Sequence, residues 1–266
     1  MKKRVKEEEI GILGGCGEVG RALARFFKKP RIRDIKLPNK GDSLEGVKII
    51  HIAIPYLSEE QFIEAVKEEM ERIKPELVII HSTVGIGVTR KLGKNVVHSP
   101  VRGVHPNLFE GLKTFVKFVG ANDKKYGEMA KKHLQDIGIK RVKVVYPSET
   151  TEIAKLLDTT YYGLCIAFHG EAKELCDKYG VDFEIVMTEF NKTYNEGYKK
   201  LGKPNVIRPV LYPPQRTGGI GGHCIIPNAE ILKNYMSSPA IDLVLKYKKI
   251  ENPAKKEKEK NKEKGK

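Results

Sequence analysis

The chain has 266 residues, is 40% hydrophobic and 31% charged, and carries a formal net charge of +15. That length allows one large or two modest domains, while the lack of any apolar run near the roughly 18 residues of a membrane span, and the charged start MKKRVKEEE, argue against a membrane partner or a secretory leader and for the cytoplasm. The basic charge is dispersed, there is no Trp and no Arg–aromatic cluster, so a surface attracting small anionic substrates is expected rather than a nucleic-acid interface.

In chain order, residues 9–13 predict a short buried strand and residues 18–28 a helix. Residues 32–37 are a candidate second strand. Residues 48–55 (KIIHIAIP) have the Ile-rich run of a central parallel strand. Ser58-Glu59-Glu60-Gln61 is a capping box, and helical spacing continues to Lys74. Strands follow at 77–81, 96–98 and 115–120, then a helix over 124–137 and a strand at 142–146. Alternation of this kind predicts an α/β domain with a doubly wound parallel sheet over residues 1–147. After Pro147 the pattern turns helical, from Ser148 towards Lys178 and again over 183–201. Residues 204–222 form a Pro- and Gly-rich loop. Residues 227–249 read as helical with a break at Ser237-Ser238-Pro239. A mostly helical second domain is therefore expected over 148–250. Residues 251–266 alternate Lys and Glu with almost nothing apolar, as a disordered tail does. Cys16, Cys165, Cys176 and Cys224 match neither a zinc ribbon nor a CxxC pair, so reduced thiols are expected. His98 and His105, seven apart without a carboxylate pattern, argue against a metal site.

The first strand runs into Gly14-Gly15-Cys16-Gly17-Glu18-Val19-Gly20, where Gly15, Gly17 and Gly20 fit GxGxxG. One glycine makes a tight turn, one lets backbone approach a pyrophosphate, and one allows a helix to pack on a strand. The helix N-terminus then faces the anion. A Rossmann domain is expected, with a dinucleotide held at Gly15, Gly17, Glu18, Val19 and Gly20. Asp34 is the candidate for the ribose hydroxyls, although it comes earlier than the usual offset of about 20 residues. A solvated loop charge is its alternative reading. Lys36 and Lys40 lie close by and would suit a 2′-phosphate, so NAD is favoured and NADP left open.

Three later segments carry a resemblance. His81-Ser82-Thr83-Val84, followed by Gly85 and Gly87, ends the fourth strand. Glu152-Ile153-Ala154-Lys155-Leu156 comes early in the long helix. GGIGGHCIIP, from Gly218 to Pro227, lies in the late loop. In this order, and over roughly residues 9–230, the chain resembles the UDP-glucose/GDP-mannose dehydrogenase family, on its N-acetylmannosaminuronate branch. The resemblance implies a nucleotide-sugar alcohol oxidised twice by NAD to a carboxylate. An aldehyde has no hydride to give until a nucleophile adds, so the second oxidation needs a thiol, and water then releases the thioester. The resemblance assigns that thiol to Cys224 and alkoxide stabilisation or proton relay to Lys155. Thr159 stands where the family often has Asn, Thr83 where a strand end nears the nicotinamide, and His223 beside the thiol as a hydrogen-bonding group. It also implies a homodimer formed through the long helix.

The chain departs from the family in three places. Asn228 replaces the Asp of Cys-x-x-x-Asp. The segment from Ser99 to Asn107 (SPVRGVHPN) replaces the Pro-Glu segment. A truncated form is expected, because the sequence ends soon after the cysteine loop, without the C-terminal nucleotide-sugar domain. Arg102, His105 and Arg216 are the candidates for an anionic substrate, Arg102 because α/β sheets bind ligands at strand C-terminal ends. Two other readings stand beside the first. One is a two-electron dehydrogenase of the 3-hydroxyacid type, which needs no Cys224. The other is a dinucleotide-binding sensor or assembly protein without catalysis.

Overall fold

The structure is a computed structural model that describes residues 9–221 and 224–249. His223 and the 251–266 tail lie outside the described residues. The chain divides into two compact units, Met1–Lys155 and Leu156–Lys266.

Among the described residues of the first unit, seven strands form one sheet: β1 (Ile10–Leu13), β2 (Arg31–Arg33), β3 (Ile49–Ile52), β4 (Leu77–Ile80), β5 (Val96–His98), β6 (Lys117–Ala121) and β7 (Val142–Val145). Their order is β2-β1-β3-β4-β5-β6-β7, and every pairing is parallel except β5 with β6. Strands β1, β3 and β4 are buried throughout, which is why they are Ile-rich rather than alternating, interrupted only by Gly11 in β1 and His51 in β3.

Helices cover both faces. On one side Leu13, Ile50, Ile52, Val78 and Ile80 pack against Phe62, Val66 and Ile73 of α2 (Glu59–Ile73) and Val88 and Leu92 of α3 (Val88–Leu92). On the other, Ile12 meets Leu23 of α1 (Glu18–Ala24) and Leu108 and Leu112 of α4 (Leu108–Thr114). On that same face Ile49, Leu77, Ile79 and Val119 meet Ala130 and Leu134 of α5 (Lys124–Asp136). The doubly wound reading holds. The Ser58 hydroxyl accepts from the Gln61 N–H at 3.2 Å, as its half of the capping box requires.

Three details differ from the sequence reading. Helix α1 ends at Ala24, with turns through Phe26 and Phe27, rather than running to Lys28. Strand β2 stops at Arg33, because the Asp34 N–H pairs with the Lys40 carbonyl in a turn. Strand β6 is antiparallel to β5: the intervening helix α4 packs beside α1 instead of completing a parallel crossover. The reversal places Lys117, the first residue of β6, at the edge where the parallel strands end.

The long helix α6 (Glu149–Tyr179) begins in the first unit and continues in the second. There it is followed by a π-helical stretch (Glu184–Glu189), α7 (Phe190–Lys200), α8 (Ile225–Lys233) and α9 (Pro239–Lys246). The π-helical opening of α7 was not visible in its sequence spacing. The break near Pro239 is present, with the Ser238 hydroxyl accepting from the Ala240 N–H at 3.3 Å. Gly163 lets α6 meet α8 and α9 closely: a Cβ there would lie 2.4 Å from Ile225 Cγ2. Among the described residues no helix is long and apolar enough to cross a membrane.

Candidate functional site

The glycine loop lies between the ends of β1 and β3, where strand order reverses and an α/β sheet opens a crevice. Its glycines do different jobs. Gly14 adopts φ +85°. A Cβ at Gly20 would sit 2.2 Å from the Gly14 carbonyl oxygen, and one at Gly15 would sit 2.3 Å from Ile32 Cγ2. These two positions are closed by protein packing. A Cβ at Gly17 would meet nothing nearer than the Gly14 oxygen at 3.4 Å, so no steric reason within the protein demands glycine there. Gly17 is also the N-cap of α1 and supplies no side-chain cap. The loop therefore has the form of an anion cradle, a bare helix N-terminus beside backbone that a ligand can approach.

Asp34 directly follows β2 and is buried. One carboxylate oxygen accepts from the Cys16 N–H at 2.9 Å and the other from the Lys36 N–H at 2.9 Å. The carboxylate is thus tied to the glycine loop. Glu18, the first residue of α1, places Oε2 2.6 Å from His105 Nδ1 and leaves Oε1 buried without a partner. That contact puts His105 beside the glycine loop.

The second cluster lies where β4 and β5 end. The Ser82 hydroxyl donates to the Ile54 carbonyl at 2.6 Å, fixing the turn that carries half-buried Thr83. The buried carboxylate of Glu152 accepts from the Gly87 N–H at 2.6 Å and the Thr89 N–H at 2.9 Å, capping α3. Burial pushes the Glu152 carboxyl up, and these hydrogen bonds oppose the shift. Arg90 adds a two-point contact to Glu149. His98 bridges Thr151 Oγ1 at 2.8 Å and the Ser82 carbonyl at 3.1 Å. The turn after β4 is thus pinned to the first turn of α6, which carries Lys155. Arg102 is half-buried, its guanidinium 5.5 Å from the Phe115 ring and 6.0 Å from the Phe118 ring.

Three other candidates belong to the second unit. Thr159 is half-buried on α6, four residues after Lys155. Cys224 is half-buried at the N-cap of α8, and Asn228 lies buried one turn further, its Nδ2 without a partner. The Arg216 guanidinium stacks 4.0 Å from the centre of the exposed Tyr212 ring.

The residue reading missed the Glu152 cap, the buried Lys117 and the histidines behind β4 and β5. Glu152 stood in a quoted motif, but nothing in its spacing marks the distant amides it caps. Each histidine sits singly in or just after a strand or helix, so only strand order brings them together.

No family model matches the chain. UDP-N-acetyl-D-mannosamine dehydrogenase of Methanococcus maripaludis is 26% identical over 155 residues, which are 56% of this chain and 33% of that one. The chain spans about a third of the length of the first such relatives it matches. The solved UDP-D-ManNAc dehydrogenase of Pyrococcus horikoshii superposes with a TM-score of 0.72 at 20% identity, over 88% of this chain and 66% of that one. A 3-hydroxyisobutyrate dehydrogenase of Mycobacterium tuberculosis superposes at 0.63 and 15% identity, over 88% of this chain and 90% of that one. The resemblance seen in the motifs thus extends to sequence relatives named UDP-N-acetyl-D-mannosamine dehydrogenase, and the fold is that of these dehydrogenases.

Proposed function

We propose that the chain is an NAD-dependent oxidoreductase acting on the alcohol of a nucleotide sugar, the activity named for its sequence relatives. The observation that carries this reading is the Gly14–Gly20 cradle. Gly17 is glycine where the protein itself leaves room, at a helix N-terminus and at the crevice of the sheet. The residues present fit a dinucleotide. Backbone N–H groups at Glu18, Val19 and Gly20 would face its pyrophosphate, and Asp34, already held beside the loop, has lone pairs left for the ribose hydroxyls. A carboxylate there would repel a 2′-phosphate, which favours NAD over NADP.

The bound dinucleotide would supply a hydride acceptor; the chain supplies the rest. Thr83 stands at the β4 end where the reacting carbon would approach. Lys155 would hold the substrate oxygen and take its proton as the alcohol is oxidised, with Thr159 one turn on as a hydrogen-bond donor. The Cys224 sulfur would add to the aldehyde carbon, so that the adduct can lose a second hydride; water would then cleave the thioester and return the thiol. The N-terminus of α8 favours negative charge at that sulfur. Arg102 and Arg216 would meet the anionic part of the substrate, and His223, the residue before Cys224 in sequence, would be a hydrogen-bonding group. His105, engaged with Glu18, is better placed to order the loop beside the cofactor. The cytoplasm, with its reduced thiols and NAD, is the proposed setting.

Assembly follows from α6. Leu157, Tyr161, Phe168 and Leu175 are exposed and recur at coiled-coil spacing along one helix face. A homodimer burying this stripe is the proposed partner arrangement. A second reading, a two-electron 3-hydroxyacid-type dehydrogenase, is favoured by the match to nine-tenths of the hydroxyisobutyrate enzyme's fold. NADH released per molecule of UDP-N-acetylmannosamine consumed separates the two. Two are expected from the wild type and one at most from Cys224→Ser. Two from Cys224→Ser would remove the covalent role. Turnover of a hydroxyacid alone, with one NADH, would establish the second reading.

A further inference from the structure

Behind the edge that carries Thr83 and Lys155, the first unit buries three histidines in a chain ending on a lysine, and no step of the proposed reaction uses them. His133 of α5 and His51 of β3 face each other through their Nε2 atoms at 2.9 Å. His51 Nδ1 is 2.9 Å from His81 Nε2, and His81 Nδ1 is 3.0 Å from the Ser99 carbonyl oxygen. A carbonyl only accepts, so His81 carries its proton on Nδ1. A neutral imidazole has one donor and one acceptor, so His81 Nε2 accepts from His51 Nδ1–H, and His51 Nε2 accepts from His133 Nε2–H.

The Ser99 oxygen is shared. Lys117 Nζ donates to it as well, and to the Pro100 carbonyl at 2.9 Å. An uncharged amine has two N–H groups, and both are matched here. An ammonium group would carry a third into a fully buried place. The titratable groups coupled to Lys117 are His51 on β3, His81 after β4, His98 on β5 and Lys155 on α6; Lys117 acts on the three histidines, and only Lys155 acts on Lys117. All are basic; among the described residues no carboxylate acts on it. Burial pushes the Lys117 amine well below the ordinary lysine range, and Lys155 adds to the shift.

We propose that Lys117 is a positioning residue of this edge: as an uncharged amine it fixes the Ser99–Pro100 turn together with His81, and it gives Lys155 a neighbour without charge. A charged Lys117 would favour the uncharged form of Lys155. The consequence for catalysis rests on the role proposed for Lys155, but the charge state of Lys117 does not.

The test is an NMR titration of lysine Cε and Nζ signals in the full chain, without cofactor or substrate, in the wild type, Lys117→Met and Lys117→Arg. Lys117 is expected to titrate well below the ordinary lysine range, because burial disfavours its charged form. The pKa of Lys155 is expected to be the same in the wild type and Lys117→Met, since one uncharged side chain replaces another. In Lys117→Arg it should fall by about one unit, because a fixed charge has been added. Titration of Lys117 near the ordinary 10.5, or a raised Lys155 pKa in Lys117→Met, would overturn the proposal. If Lys117→Arg does not fold by circular dichroism, the other two proteins decide. A normal Lys117 in an enzyme that turns over sinks this proposal alone. A neutral Lys117 in a chain that binds no dinucleotide sinks only the catalytic reading.

Discussion

Gly17 and Gly20 belong to one loop but answer to different forces, and their substitutions separate binding from folding. Gly20 faces backbone, so Gly20→Ala forces α1 away from β1 and should lower stability by about 1–3 kcal/mol. Gly17 has room for a Cβ at ordinary contact distance, so Gly17→Val should leave the thermal midpoint nearly unchanged while calorimetry finds NAD binding lost. Equal binding by Gly17→Val would place the pyrophosphate elsewhere. Glu152 gives a third contrast. Its carboxylate holds two amides of the α3 turn, so Glu152→Ala should cost about 3 kcal/mol in denaturant unfolding, with Glu152→Gln retaining part of it. A loss under half a kcal/mol in Glu152→Ala would show that water replaces the cap. The glycine motif could be read from the chain because its demands are local. The Glu152 cap could not, because its partners are more than sixty residues away.

Among the elements, β3, β4 and α5 share the histidine chain, and that sharing makes the sheet sensitive to acid. Burial lowers the pKa of His98 to about 3 and that of His133 to about 4, and holds His51 and His81 well below 6.5. Their folded values lie below the unfolded 6.5, so the unfolded chain binds more protons in that window. Stability is complete above pH 6.5 and falls as pH drops towards 4. Each histidine contributes up to about 1.4 kcal/mol per pH unit. Urea midpoints across this range should fall steeply for the wild type and less so for His133→Gln; parallel curves would contradict the account. On α6 the exposed stripe makes a separate prediction. Light scattering should report a dimer, and Phe168→Glu with Leu175→Glu a monomer that still binds NAD. A wild-type monomer at tens of micromolar would remove the proposed seam. The central strands and long helices were legible in the sequence, since buried Ile runs and helical spacing mark them. The five-residue α3 and seven-residue α4 are too short to show a period. The reversal of β6 depends on how α4 packs, which no local pattern records.

For the molecule as a whole, the two units carry different shares of the proposed chemistry. The cofactor cradle, Thr83 and Lys155 lie in the first, and Thr159 and Cys224 in the second. The glycine turn after β1 was legible in the sequence, since its spacing is local. Its acid, Asp34, was ambiguous by spacing alone because β2 is only three residues long and hands over at once to a turn. The substrate side was less legible, since Arg102, His105 and Arg216 were chosen by charge and loop position. Of these, His105 is engaged with Glu18 beside the glycine loop. The relatives' chains are about three times as long as the part this chain matches, so nucleotide-sugar turnover depends on more than the cradle. Dinucleotide binding depends on the cradle directly. Calorimetric titration of the wild-type chain with NAD and with NADP is therefore the most direct measurement. The account predicts saturable one-to-one binding of NAD, with NADP weaker because the Asp34 carboxylate opposes its 2′-phosphate; no binding of either at millimolar concentration would contradict it.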